Sequence, residues 1–223
     1  MSNMKTNEHV TIPEDWRVEQ IKSSDGKMFI REHHYSRGCH NGPMCWGLLD
    51  GESNLLGVIA FATPSSEAVR SSLFGPEHKS WVTELHRLVI LDGTPPNAES
   101  WLIARALRGL KEYRPQIRAV ISFADSTEGH VGTIYQATNA LFCGTTGSAT
   151  FYRDSTGRLR HPRQNGVNIS KSEAARRGWV AEKRGAKNRY VFLLGSPKEK
   201  RRLRSALLRV PEKYPKIEEA PDA

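Results

Sequence analysis

Apolar and polar residues alternate from Trp16 to Lys22, the pattern of a half-buried strand. Asp25 to Tyr35 carries apolar residues at helical spacing, with Ser24 or Asp25 suited to cap it. Ser36 to Pro43 is a loop. Cys45–Leu49 and Leu55–Ala62 are apolar runs around the polar stretch Asp50–Asn54 and read as a hairpin. Ser65–Leu73 reads as a short helix. Val82–Leu91 is a strand whose apolar second half predicts burial on both faces. Past the Gly93–Pro96 breaker, a helix runs from Asn97 to about Tyr113, with Ile103, Ala106, Leu107 and Leu110 on one face. Ala119–Ala124 is a buried strand that ends at Asp125. His130–Phe142 reads as another helix, closed by Gly144. Ala149–Arg153 and Arg189–Leu194 are further strands. Short helices are expected near Ser172–Arg177 and over Lys198–Leu208.

This order predicts one α/β domain: a mixed sheet with helices on both faces, spanning residues 14–195. Residues 1–13 form a flexible start. A basic insertion occupies about 154–188, and a basic helix and tail fill 196–223. A composition of 38% hydrophobic and 26% charged residues is that of a folded globular chain. No apolar run approaches the roughly 20 residues of a membrane span, and the first residues lack a signal core, so the cytosol is the expected location. The three cysteines, Cys39, Cys45 and Cys143, are too few for a disulfide framework. Cys39-His40 and Cys45 have no second pair to complete a zinc clip and read as loop cysteines.

Net charge sharpens the picture. The chain carries +9, and Lys and Arg crowd between Arg153 and Arg209. A polyanionic partner, most simply nucleic acid, follows from that.

Several residues stand out chemically. Asp125 closes a buried strand, where open α/β sheets gather ligands. Tyr135 lies one helical stretch further on; a Tyr–Asp pair suits proton transfer or a hard metal. Arg87 sits inside an apolar strand and requires an anionic partner, for which Asp125 is the candidate. Strand alternation puts Glu84 and His86 on the opposite face from Arg87, with Glu84 a reserve general base. Asn97, Ala98, Glu99 and Ser100 open a helix directly after a buried strand, a ready anion site.

Taken together, His34-Tyr35-Ser36, Glu84-Leu85-His86-Arg87-Leu88, Asn97-x-x-Ser100 and the run Ala124–Asn139 resemble the Mom family of phage DNA-modification proteins, over about residues 30–195. The resemblance implies a GNAT (acetyltransferase-like) fold that binds acetyl-CoA. It implies conversion of adenine in double-stranded DNA to a carbamoylmethyl form, which protects phage DNA from restriction. By position, His34, Tyr35, Arg87, Asp125 and Tyr135 would line the reaction centre. Ser100, with Asn97, Ala98 and Glu99, would serve the CoA pyrophosphate. The usual glycine-rich pattern of GNAT enzymes is absent at that turn. The family's link to iron makes His34, Asp125 and Tyr135 candidate ligands.

Reaching an adenine amine inside a duplex requires base flipping, with Tyr35 or Trp46 available to stack. The phosphate backbone would meet Arg158, Arg160, Arg163, Lys171, Arg176, Arg177, Lys183, Arg184, Lys187 and Arg189. Two other readings stay open: a GNAT enzyme acetylating a protein or small-molecule amine, and a DNA-binding protein without activity. A homodimer is compatible with the sequence but not demanded by it.

Overall fold

The computed structural model describes residues 11–35, 38–125, 129, 131–164 and 167–216. In chain order the first half runs β1 (Arg17–Ile21), α1 (Ser23–His33), β2 (Met44–Leu49), β3 (Leu55–Ala62), α2 (Glu67–Ser71) and β4 (Val82–Ile90). It continues with α3 (Ala98–Tyr113) and β5 (Ala119–Asp125). The second half holds α4 (Thr133–Ala137), β6 (Leu141–Thr145), β7 (Ala149–Arg153), β8 (Leu159–Arg160), β9 (Arg163–Gln164) and β10 (Val167–Asn168). It closes with α5 (Lys171–Arg176), β11 (Val180–Arg184), β12 (Lys187–Leu193) and α6 (Pro197–Ala206).

Seven strands form one sheet in the order β1-β2-β3-β4-β5-β12-β6. Its neighbours are antiparallel except β4 and β5, which run parallel, as the intervening helix α3 requires. The expected mixed α/β domain with helices on both faces is what forms. Strand alternation divides the apolar residues between the faces. Ile59 and Phe61 of β3 pack with Leu102, Ile103, Ala106 and Leu110 of α3. Val58 and Ala60 lie under Phe29 and Ile30 of α1. Leu203 and Leu207, in and just past α6, cover Ile121 and Val191. Each fully buried Leu or Ile contributes roughly 1.5–3 kcal/mol, so the one-sided stripe of α3 anchors it firmly. Gly26 lets α1 lie close on β2: a Cβ there would stand 2.5 Å from Cys45 Sγ.

Two local expectations fail. Helix α1 starts at Ser23, with Lys22 at the N-cap position and no side-chain cap. Ser24 Oγ donates to Asp25 Oδ1 at 2.9 Å instead. The helix expected over His130–Phe142 shrinks to Thr133–Ala137 within the described residues. Gly132 (φ 88°) and Asn139 (φ 59°) are left-handed on either side of it. Leu141–Thr145 is strand β6, because Phe142 joins the core on one face and Cys143 the core on the other. A strand supplies both directions in consecutive residues; a surface helix does not. Gly144 therefore sits in a strand and caps no helix.

Beyond β6 the chain leaves the main sheet. β7 pairs with β8 and β11 in a separate three-stranded sheet, and β9 and β10 make a two-residue ribbon. Helix α5 is capped by Ser170, whose Oγ accepts from the Glu173 amide at 3.1 Å. Helix α6 begins in a reciprocal Ser196–Glu199 capping box. No helix is long and apolar enough to cross a membrane among the described residues.

Candidate active site

β4 and β5 pair only through Val82–Ala119, Thr83–Val120 and Glu84–Ile121, and then part. The cause lies on the other edge of β4. There Phe61 pairs Leu85 and Ala60 pairs Arg87, leaving His86 as an extra residue, a β-bulge. The bulge resets the alternation, so Leu85, Leu88 and Ile90 all face the same core. Glu84, His86 and Arg87 then open on one space. The expectation that Arg87 points away from Glu84 and His86 is thereby corrected.

Between the parted strands lies a cleft of ≈ 460 Å³. Its walls are Glu84–Leu88 of β4, Phe123–Asp125 of β5, Val131–Tyr135 around α4, and His34, Tyr35 and Lys187. All five residues expected at a reaction centre, His34, Tyr35, Arg87, Asp125 and Tyr135, line it.

Their partners differ from expectation. Arg87 Nε donates to Gly38 O at 2.8 Å and Nη1 to His86 O at 2.7 Å. Burial lowers its pKa, yet a guanidinium stays charged. Its partner is not Asp125. That carboxylate's Oδ2 takes Arg184 Nη2 at 3.1 Å and Lys187 Nζ at 3.3 Å. The two carbonyls hold Arg87 in place without neutralising it.

His34 sits just past the end of α1, its ring stacked on Tyr35 at 4.4 Å between centroids. Burial, then the charges of Arg87 and His86, hold its pKa down to about 4, so the ring is neutral near pH 7. Tyr35 is 69% exposed at the mouth. Tyr135 is partly buried, its ring against Tyr190 at 5.3 Å and its phenol beside Ser122. Burial raises its pKa, which keeps the phenol protonated and able to donate. Gly132 allows this wall to close: a Cβ there would collide with the Tyr190 ring, whose hydroxyl donates to Val131 O at 2.5 Å.

The three residues expected to ligate iron, His34, Asp125 and Tyr135, all line this cleft. Among the described residues, no group of three or more His, Cys, Asp or Glu is placed to hold a metal ion. Asp125 already faces two cations, which would compete with a metal for its charge. Cys45 is buried in β2, and burial pushes its thiol up to about 12.

At the turn into α3, Asn97 is the N-cap residue but in the left-handed conformation, and its side chain caps nothing. Ala98 is fully buried and its N–H donates to Pro95 O. Ser100 Oγ donates to Asn97 O at 2.9 Å. Ala98 thus offers a phosphate nothing, and Ser100's hydroxyl proton is engaged. What the turn presents is an uncapped first turn, with the Glu99 carboxylate beside it.

The basic residues divide three ways. Arg158, Lys171, Arg176, Arg177 and Lys183 are exposed. Arg176 and Arg177 are both paired with Glu173, and Arg160 with Asp154 at 2.7 Å. Arg184 and Lys187 belong to the cleft mouth through Asp125. Arg189 is a core residue, 8% exposed, donating to Cys143 O at 2.9 Å, and is withdrawn from the DNA face. The Arg163 side chain lies outside the described residues. Trp46 is buried against Phe61 and unavailable for stacking.

Sequence reasoning missed two cleft residues, Lys187 and His86, and a neighbour of His86, His40. Lys187 was assigned to the basic surface, because its register opposite Asp125 is not written in local sequence. His86 had a signal: two polar residues in succession, His86-Arg87, inside an apolar strand mark a bulge. His40 touches His86 edge-on at 4.0 Å between ring centroids, and nothing in the sequence pairs them.

Residues 15–216 match the Mom protein family. Over 140 residues the chain is 34% identical to the methylcarbamoylase mom of Escherichia phage Mu. That match takes in 61% of this chain and 56% of the relative, so it spans little more than half the relative's length. Similar solved structures include a spermidine N-acetyltransferase of Vibrio cholerae in complex with CoA and spermine. It is 10% identical with a TM-score of 0.44, over 81% of this chain and 96% of that one. A putative acetyltransferase of Acinetobacter baylyi is 12% identical with a TM-score of 0.46, over 82% and 94%.

Proposed function

Because the chain belongs to the Mom protein family, we propose that it is a DNA-modifying transferase. It would carry an acyl-CoA-derived group to the exocyclic amine of adenine in duplex DNA. The family's product, carbamoylmethyl-adenine, holds the adenine nitrogen on a methylene, so the donor must present that carbon with a leaving group and an amide nitrogen must be supplied as well; its role would be protection of phage DNA from restriction. The observation that carries this reading is the cleft's position. A polar cleft opens between two parted strands, and a cationic insertion is clasped to its mouth by Arg184 and Lys187 on Asp125.

The donor site fits an extended thioester. Among the described residues, the edge of β4 that faces β5 has no strand neighbour past Glu84, which suits a chain with amides of its own. The uncapped first turn of α3 suits the phosphates through backbone N–H groups at Glu99 and Ser100. When bound, an acyl-CoA would supply a thioester that activates its carbonyl, where attack gives an amide; a methylene-linked product needs the adjacent carbon activated instead.

The chain's own residues do the rest. Tyr35, exposed and stacked on His34, offers a face to a flipped base. Arg87 keeps guanidinium N–H groups to orient a carbonyl or a purine acceptor. Tyr135 supplies a half-buried donor to charge that develops in the cleft. The adenine amine is a weak nucleophile, so the cleft must also accept a proton. Between Asp154 and Asn188 the insertion has nine Lys and Arg against three Asp and Glu, a surplus suited to phosphates.

The test is mass spectrometry of nucleosides from plasmid DNA of cells making the protein, beside an Arg87→Ala control. An adenosine adduct with the wild type alone is expected, and its mass separates carbamoylmethyl from acetyl. Soluble protein that leaves DNA unmodified would turn the reading toward acetylation of a protein or small-molecule amine.

A further inference from the structure

The cleft holds two histidines, and their surroundings differ. His34 has Arg87 and His86 near it, and burial leaves it neutral with a pKa of about 4. A base that weak gains little by taking a proton near pH 7. His86 is partly buried, and burial is the first cause that lowers its pKa. But a carboxylate stands behind it: Glu84 Oε1 lies 3.7 Å from His86 Nδ1 and opposes that lowering. His40 packs edge-on against the His86 ring, and His40 Nε2 lies 3.3 Å from Ser65 Oγ. Both His86 and Glu84 line the cleft.

We propose that His86 is the proton acceptor of the cleft, with Glu84 fixing its tautomer and His40 locking its ring. Glu84, at Nδ1, selects the Nδ1–H form and leaves Nε2 with a free lone pair. The bulge is what makes this work. By inserting one residue at His86, it turns His86 to the side of Arg87, so the acceptor and the fixed cation face the same substrate. The inference rests on the transferase reading above. As the amine nitrogen bonds to the transferred carbon, that carbon's bond to its leaving group breaks with the electron pair. The nitrogen's proton passes to His86 Nε2. The charged and titratable groups facing His86 are Glu84 and Arg87 from β4, His40 from the loop after α1, and His34 at the end of α1. Tyr135, from α4, faces Glu84 and Arg87.

Two measurements on the full chain decide it. The first is the pH profile of adduct formation for wild type, His86→Asn and Glu84→Gln. His86→Asn is expected to lower kcat about 100-fold with the KM for DNA little changed. Glu84→Gln, which removes the group that raises the His86 pKa, is expected to move the acid limb to lower pH. The second is nitrogen NMR of the histidine rings, expected to find His86 with its proton on Nδ1. A His86→Asn enzyme within about threefold of wild type overturns the proposal, as does an unmoved acid limb in Glu84→Gln or a proton on Nε2. A wild type that forms no adduct overturns the transferase reading and the acceptor role with it. That result is distinct from active enzyme indifferent to His86.

Discussion

Lys187 and Asp125 are the last register pair of β5 and β12, and the Lys187 ammonium reaches the Asp125 carboxylate at 3.3 Å. Arg184, three residues earlier and at the end of the insertion's own sheet, takes the same oxygen at 3.1 Å. One carboxylate thus joins the end of a core strand to the arm that carries the cationic module. Asp125 acts on position as well as on any chemistry in the cleft.

That dual attachment predicts the behaviour of Asp125→Asn. Loss of the charge leaves two cations facing a neutral amide in a mostly buried place, at a cost of about 2 kcal/mol in unfolding free energy. Urea denaturation measures it. Hydrogen exchange should show protection falling in β11 and around Lys187, with the α3 core unchanged. Protection that stays the same in β11 would mean the clasp does not hold the module.

The wall of the cleft makes a second prediction. Gly132 has φ 88°, and any Cβ there would meet the Tyr190 ring. Gly132→Ala adds left-handed strain to that collision and should destabilise the fold by about 2–3 kcal/mol. The measure is the thermal midpoint. The Tyr190–Val131 hydrogen bond would be displaced with it, so activity should fall further than stability alone explains. A variant as stable as wild type would show that the wall can shift.

His34 gives a pH prediction with a definite sign. Its folded pKa is about 4, below the unfolded value near 6.5. Between those values the unfolded chain binds the proton and the folded chain does not. His34 therefore lowers stability as pH falls from about 6.5 toward 4, and has no such effect above that window. Because the ring is only partly buried, the loss is about 1–2 kcal/mol. Unfolding of wild type and His34→Asn at pH 7 and pH 5 should show a shallower pH dependence in the variant. Equal slopes would remove His34 as the source.

The legible and illegible parts of the molecule separate on physical grounds. The α3 stripe and the strands on either side were readable because a one-sided apolar pattern specifies its own burial. The cleft residues His34, Tyr35, Arg87, Asp125 and Tyr135 were also named, and they meet in space. Their partners were not readable. Arg87 was matched with Asp125 on charge alone, but backbone carbonyls at Gly38 and His86 hold it, and a carbonyl leaves no mark in sequence. Phe142, read as the end of a helix, lies with Cys143 in a strand because the core needs side chains on both faces there. Arg189 resembled its basic neighbours and proved to be interior, since position in a central strand outweighs charge.

The basic surface makes the last prediction, and Arg189 supplies its control. Arg158, Lys171 and Lys183 are exposed, and no ion pair engages them among the described residues. If they contact phosphates, each displaces counterions, so each substitution by Ala should reduce the slope of log binding constant against log salt by about 0.9. The triple variant should lose roughly 2–3 in slope and bind every duplex more weakly, whatever its sequence. Arg189→Met removes the same formal charge from the same stretch of chain. Its guanidinium is in the core, so the salt slope should stay at the wild-type value. The Cys143 carbonyl loses its donor, and stability should drop by about 1–2 kcal/mol. Fluorescence anisotropy over a salt series, with urea unfolding alongside, separates the two effects. Equal slopes in the triple variant and the wild type would remove these three side chains from any phosphate contact. DNA would then have to approach along another face of the cleft mouth.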